Sequence, residues 1–295
     1  MSVIEIKNIT RDYGNGKGVF DLSFSVSEGE AFGFLGPNGA AKTTAIRHLM
    51  GFLKPQKGQC LINGRDCFSE RHSIQSKVGY IPGEIAFIDN MTGLGFIRFY
   101  AELRGQKGLD RAKKLMERFE LDGSGRLKKM SKGNKQKVGI ICAFMGDADI
   151  YILDEPTSGL DPLMQNRFIE LINEEKQRGK TILMSSHIFE EVERTCSRVG
   201  IIRLGRLAAV DEIEKLKEQK LRSFVITLPD FEQAAAFWAE LPDISEIDGS
   251  KVRVTVKQDL RPLIEAMYKH PIQNIDRENQ SLEEIFMHYY GGTQD

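Results

Sequence analysis

The stretch AFGFLGPNGAAKTT, residues 31–44, decides how this chain folds. Its first five residues form a short apolar run, the pattern of a strand buried on both faces. A glycine-rich turn follows, and residues 42 to about 52 read as a helix. Strand, glycine-rich turn and helix together make a cradle for a phosphate chain. The turn's backbone N–H groups are little obstructed by side chains, and the helix N-terminus adds partial positive charge. Gly36, Pro37, Asn38, Gly39, Ala40, Ala41, Lys42, Thr43 and Thr44 form this loop. Lys42 is placed to reach the β- and γ-phosphates of such a phosphate chain, and the Thr43 hydroxyl to hold the Mg²⁺ that bridges them. The phosphate-loop pattern has glycine before the lysine, and here that slot is Ala41. Positive φ at this slot would cost alanine about 1–2 kcal/mol, whereas negative φ would leave a small steric cost. The sequence leaves both open.

Outward from this stretch, residues 3–9 and 20–26 alternate apolar and polar side chains, as half-buried strands do. Residues 58–62, 77–81, 150–153, 181–185 and 198–203 also read as strands. Residues 91–144 are mostly helical in pattern. Strands rejoined by helices imply an α/β fold with a largely buried parallel sheet and a helical insertion, about 84–148. The character changes at a charged connector, residues 215–222. Beyond it the expected order is strand 224–228, helix 231–241, strands 244–247 and 252–256, helix 260–269, strand 272–276 and a helix from Leu282. That β-α-β-β-α-β order is the ferredoxin-like arrangement. Ser281 and Glu284 have the spacing of a capping box at the last helix. The expected domains are therefore 1–220 and 221–295.

A second motif, IYILDEPT at 150–157, is an apolar strand ending in two acids. Asp154 is placed to hold Mg²⁺, and Glu155 to act as general base for an attacking water. The plain alternative, an ordinary acidic turn after a strand, loses ground once the phosphate loop is present in the same chain.

In chain order the phosphate loop is followed by Met130-Ser131-Lys132-Gly133-Asn134, the two acids, Ser158-Gly159-Leu160-Asp161, and His187. This series resembles the ATP-binding cassette of ABC transporters, nearest to bacterial bacitracin- and multidrug-export types, over roughly the first three quarters of the chain. The resemblance implies a P-loop NTPase cassette, a mixed sheet with a helical insertion, followed by a small C-terminal α+β accessory domain, with ATP and Mg²⁺ as cofactors and ATP hydrolysis by Lys42, Glu155 and His187. It makes Tyr13 the ring that stacks on adenine, with an exposed turn tyrosine as the plain alternative. It makes Ser158 to Asp161 the loop that touches a partner cassette. Asp161-Pro162 also reads as a helix N-cap with proline at the first position. Ser131, Lys132, Gly133 and Asn134 would complete the ATP site of the opposite subunit, so a second cassette is implied, with a homodimer favoured.

Three departures from the family stand out: Ala41, the Lys132 and Asn134 of the signature, and Gly83-Glu84 where the family has a glutamine. Glu84 is a Mg²⁺ ligand if its loop shifts by one residue, and otherwise a solvated acid. Two alternatives follow. The chain is a hydrolysis-poor regulatory subunit of a heterodimer, or, at lower weight, a soluble ABC ATPase acting on DNA or ribosomes.

Composition narrows the rest. Of the 295 residues, 41% are hydrophobic and 28% charged, and the formal net charge is −1. That balance is ordinary for a globular protein and argues against a nucleic-acid partner. No run approaches the ~18 apolar residues of a membrane helix, and no export signal opens the chain. Cys60, Cys67, Cys142 and Cys196 lack metal-binding spacing and read as reduced thiols. The expectation is a cytoplasmic protein, peripheral on the inner face of the membrane through a separate integral-membrane permease, and powering export of an antibiotic, drug or peptide.

Overall fold

In the computed structural model, which describes residues 1–88, 90–106, 108–215, 222–256 and 259–278, Ala31–Leu35 is strand β3 with every residue buried. On one side β3 pairs with β8 (Thr181–Ser186), and on the other with β9 (Arg198–Arg203), both parallel. Beyond β8 come β7 (Ile150–Asp154) and β6 (Val78–Ile81), also parallel. An antiparallel β10 (Arg206–Glu212) closes the other edge. The order is β10-β9-β3-β8-β7-β6. Near-continuous apolar runs in β3, β7 and β8 are what burial on both faces demands.

The N-terminal strands lie in a separate antiparallel sheet, β2-β1-β4-β5. It is built from β1 (Ser2–Asp12), β2 (Gly18–Ser27), β4 (Lys57–Ile62) and β5 (Arg65–Asp66). Alternating strands bury one face only, and here that face supplies Ile4, Ile6, Phe24 and Val26 to a core shared with Phe32 and Phe34. The rings of Phe24 and Phe32 stack at 5.2 Å between centroids. Helix α1 (Lys42–Leu49) adds Ala45, Ile46 and Leu49 to this core. It ends three residues before the expected 52. Gly51 turns left-handed there, at φ 68°, and stops the helix.

Helix α2 (Arg71–Gln75) precedes β6, and the helical insertion contains α3 (Gly93–Leu103), α4 (Asp110–Arg118) and α5 (Lys132–Phe144). Thr92 caps α3, accepting from the Gly95 N–H at 3.0 Å. Helix α6 (Pro162–Gln177) starts at Asp161, whose carboxylate accepts from the Met164 N–H at 3.0 Å, as the Asp-Pro pair foretold. Helix α7 is Phe189–Thr195. Ion pairs tie α4 to α6: Arg111 to the buried Glu175 at 2.5 Å and Arg118 to Glu174 at 2.6 Å.

The chain divides into two compact units, Met1–Ile213 and Glu214–Asp295. In the second, β11 (Arg222–Thr227), β12 (Ser245–Asp248), β13 (Lys251–Val256) and β14 (Asn274–Glu278) form an antiparallel sheet in the order β12-β13-β11-β14. Helices Phe231–Glu240 and Arg261–Lys269 lie in the expected places in chain order. Ile226, Phe237, Val252, Val254, Leu263 and Ala266 form the core of this unit. The expected helix from residue 282, its capping box and most of the 215–222 connector lie outside the described residues. All four cysteines are buried, and burial pushes the Cys60, Cys142 and Cys196 thiols up to about 12.

Candidate active site

Parallel pairing assembles the site. Asp154 lies opposite Ser185 in the β7–β8 register, and Leu35 opposite Ser186 in the β3–β8 register. The chain segments that leave these strand ends therefore share one edge of the sheet, where ligands of α/β folds bind. From β3 comes the phosphate loop. The Gly36 N–H donates to Ser186 O at 3.2 Å. A Cβ on Gly36 would sit 2.4 Å from Ile202 O, so only glycine fits. Gly39 and Ala41 are left-handed, at φ 82° and 79°. Ala41 thus occupies the costly branch of the two that the sequence left open.

Lys42 is 5% exposed. Its ammonium donates to Gly36 O at 2.5 Å and Pro37 O at 3.2 Å. It also lies 2.9 Å from Glu155 Oε1, an ion pair without an aligned hydrogen bond. The other oxygen, Glu155 Oε2, is 2.6 Å from His187 Nδ1. An ionised carboxylate only accepts, so Nδ1 carries the hydrogen and donates. Glu155 is itself left-handed, at φ 49°. Its N–H is held by Ser185, through the carbonyl at 3.2 Å and the hydroxyl at 3.1 Å.

Asp154 is fully buried. Oδ1 accepts from Ser185 Oγ at 2.6 Å, while Oδ2 is buried with no partner. A Cβ on Gly83 would lie 2.9 Å from Oδ2 and 3.6 Å from Thr43 Oγ1. An orphaned carboxylate oxygen and a hydroxyl border one small space, and hard oxygens of this kind suit Mg²⁺. Among the described residues no group of three or more His, Cys, Asp and Glu could hold a metal by itself. Glu84 is exposed on the rim of a cavity that Thr43 and Gly83 also line.

The other expected residues fall outside this cluster. Tyr13 is 52% exposed, with the Arg11 guanidinium 5.4 Å above its ring. Asn38 and Gly39 are exposed, Ala40 is buried, and the Thr44 carbonyl is 2.7 Å from His48 Nδ1. Ser131 and Lys132 are exposed and form a second cluster with the loop after β7. Ser131 caps α5, accepting from the Asn134 N–H at 3.2 Å. Lys132 donates to Ser158 Oγ at 2.9 Å. A Cβ on Gly133 would stand 2.6 Å from Gly159 O. Leu160 is buried behind that loop. Four participants escaped sequence reasoning. Ser185 orients both acids. Glu191, 4% exposed, accepts from Thr157 Oγ1 and Ser186 Oγ. The sequence signals available were the Ser185-Ser186 pair and a glutamate four residues after His187.

The sequence profile of the ABC transporter family matches residues 19–158. The bacitracin transport ATP-binding protein BcrA of Bacillus licheniformis is 31% identical over 99% of this chain and 98% of its own length. YhcH of Bacillus subtilis, called an uncharacterized ABC transporter ATP-binding protein, is 30% identical over 100% of this chain and 98% of its own. A solved ATP-binding subunit of an ABC transporter is 32% identical, with a TM-score of 0.67 over 73% of this chain and 92% of that one. A dimeric cassette solved in a post-hydrolysis state with ADP and Pi shares the fold, at 20% identity and a TM-score of 0.65 over 71% of this chain and 98% of that one.

Proposed function

Because the chain belongs to the ABC transporter family, as one of its ATP-binding subunits, we propose that it drives a separate membrane permease by hydrolysing ATP at the cluster of Lys42, Thr43, Asp154, Glu155 and His187. One observation carries this reading: the Glu155 carboxylate bridges Lys42 at 2.9 Å and His187 at 2.6 Å at the mouth of the phosphate loop. The nucleotide's phosphates give the Lys42 ammonium an anionic partner in place of the loop carbonyls and Glu155. Glu155 is then free to accept a proton from water. The water oxygen bonds to the γ-phosphorus as the bond to the ADP oxygen breaks. His187, held by Glu155 through Nδ1, keeps base and water in line. Thr43 and Asp154 would hold Mg²⁺, which would neutralise charge on the nucleotide's phosphates. Tyr13 stacks on adenine.

Ser131 to Asn134 and the loop Ser158 to Asp161, with Leu160 buried behind it, face a second copy of the chain, whose ATP site they complete. The permease docks at the cavity of about 410 Å³ lined by Phe52, Tyr80, Phe96 and Tyr100, which shares Thr43 and Gly83 with the nucleotide site. No described helix is long and apolar enough to cross a membrane. Relatives named for bacitracin and multidrug transport favour export of an antibiotic, drug or peptide, with the chain on the cytoplasmic face.

The test is ATP turnover by the full chain across protein concentrations, with Glu155→Gln as control. Turnover should rise with concentration, and the control should fall by about a hundredfold or more. Tight ATP binding without turnover would instead favour the regulatory, heterodimeric subunit.

A further inference from the structure

We infer that Glu191 is a positioning residue for the hydrolytic step, clamping the segments that carry Glu155 and His187 into register. The inference rests on the reading that those two residues act in hydrolysis. Glu191 lies on α7, four residues after His187, and is 4% exposed. One carboxylate oxygen accepts from the Thr157 hydroxyl at 2.5 Å and the other from the Ser186 hydroxyl at 2.8 Å. Thr157 stands two residues after Glu155, and Ser186 one residue before His187. A single buried carboxylate therefore joins the loop after β7 to the end of β8, within two residues of the proposed base and the histidine.

The surroundings keep this clamp in place. The Ser186 oxygen also accepts from the Ile188 N–H at 2.9 Å, and the Thr195 hydroxyl donates to the Glu191 carbonyl at 2.6 Å. Helix α7 comes close enough because β3 carries Gly33, where a Cβ would stand 2.3 Å from Val192 Cγ1. Burial holds the Glu191 carboxyl above the usual carboxylate range, so a buried acid is kept here at a cost. An apolar residue would pack there without that cost, yet it would leave the buried Thr157 hydroxyl unpaired, take one partner from Ser186 and leave the two segments unlinked. Glu155 and His187 stand 2.6 Å apart, and base catalysis tolerates displacements of only about 0.5 Å. Neither Glu191 oxygen needs to touch ATP for this role.

The experiment uses the full-length chain with Glu191→Ala, Glu191→Gln, Thr157→Val and Ser186→Ala, and Glu155→Gln as reference. It reads kcat and KM for ATP, the melting temperature, and the downfield proton NMR signal of His187 Nδ1–H. Glu191→Ala should lower kcat about tenfold or more with KM within about twofold, and should move or broaden the His187 signal. Glu191→Gln keeps the volume and a partner for each hydroxyl, and should restore most of kcat. Thr157→Val and Ser186→Ala each remove one arm and should give intermediate losses, which decide the matter even if Glu191→Ala does not fold. A lowered melting temperature with kcat and the His187 signal unchanged in the folded variants would overturn the inference, leaving Glu191 a packing residue only. Turnover retained by Glu155→Gln would instead overturn the assignment of the base on which the inference rests.

Discussion

At Ala41 the backbone has φ 79° and ψ 22°, where a Cβ costs about 1–2 kcal/mol. Glycine would remove that strain but would bring ~0.4–1 kcal/mol of extra freedom to the unfolded chain. Ala41→Gly should therefore raise the unfolding free energy by about 1 kcal/mol, and Ala41→Val should lower it. Urea unfolding checks this, and an unchanged midpoint for both would refute it. Glu155 carries the same kind of strain at φ 49°, and the proposed role as general base is one that glycine could not fill. Lys42, Asp154, Glu155 and His187 were legible in the sequence because each sits at a fixed offset within a motif. Thr157, Ser186 and Glu191 were not. Serine, threonine and glutamate are common at surfaces, and nothing along the chain links Thr157 to a glutamate 34 residues away.

Among the elements, α7 depends on what β3 lacks. The missing side chain at Gly33 admits Val192, which is fully buried. Gly33→Ala puts a Cβ 2.3 Å from Val192 Cγ1 and should destabilise by about 1–3 kcal/mol. Val192→Ala in the same chain should return part of that loss. Chemical denaturation of the single and double variants tests the pairing, and simple additivity would disprove it. The elements themselves were mostly readable. Apolar runs marked β3, β7 and β8 to within a residue, since a strand buried on both faces admits little else. Alternation in β1 and β2 marked strands but could not say which sheet they join. The end of α1 was misplaced by three residues because Gly51, not loss of periodicity, ends the helix.

On the scale of the molecule, each unit has its own apolar core. Phe237 is fully buried in the second and packs edge-on against His270 at 5.5 Å. Phe237→Ala should cost that core about 3–5 kcal/mol. The expected outcome is an early unfolding transition of the second unit, with ATP turnover by the first within about twofold of normal at temperatures below it. Calorimetry alongside the activity assay checks this. A single shared transition, or turnover lost together with the second unit, would show that the two units are energetically one.

The sequence by itself determined the family, the strand–loop–helix cradle, the acids at the end of β7 and the β-α-β-β-α-β order of the second unit. These are local: each needs a run of apolar residues, a turn of fixed length or a charged group at a fixed offset. Tertiary structure decided what depends on strand register and close approach. It set the left-handed backbone at Ala41, and it joined Lys42, Glu155 and His187 through one carboxylate. It brought Lys132 to Ser158, and buried Glu191 between two strand ends. Those contacts join residues 26 to 113 positions apart in Lys132–Ser158, His187–Glu155 and Lys42–Glu155. Only parallel pairing across the sheet, and the room left by single glycines, brings such positions together.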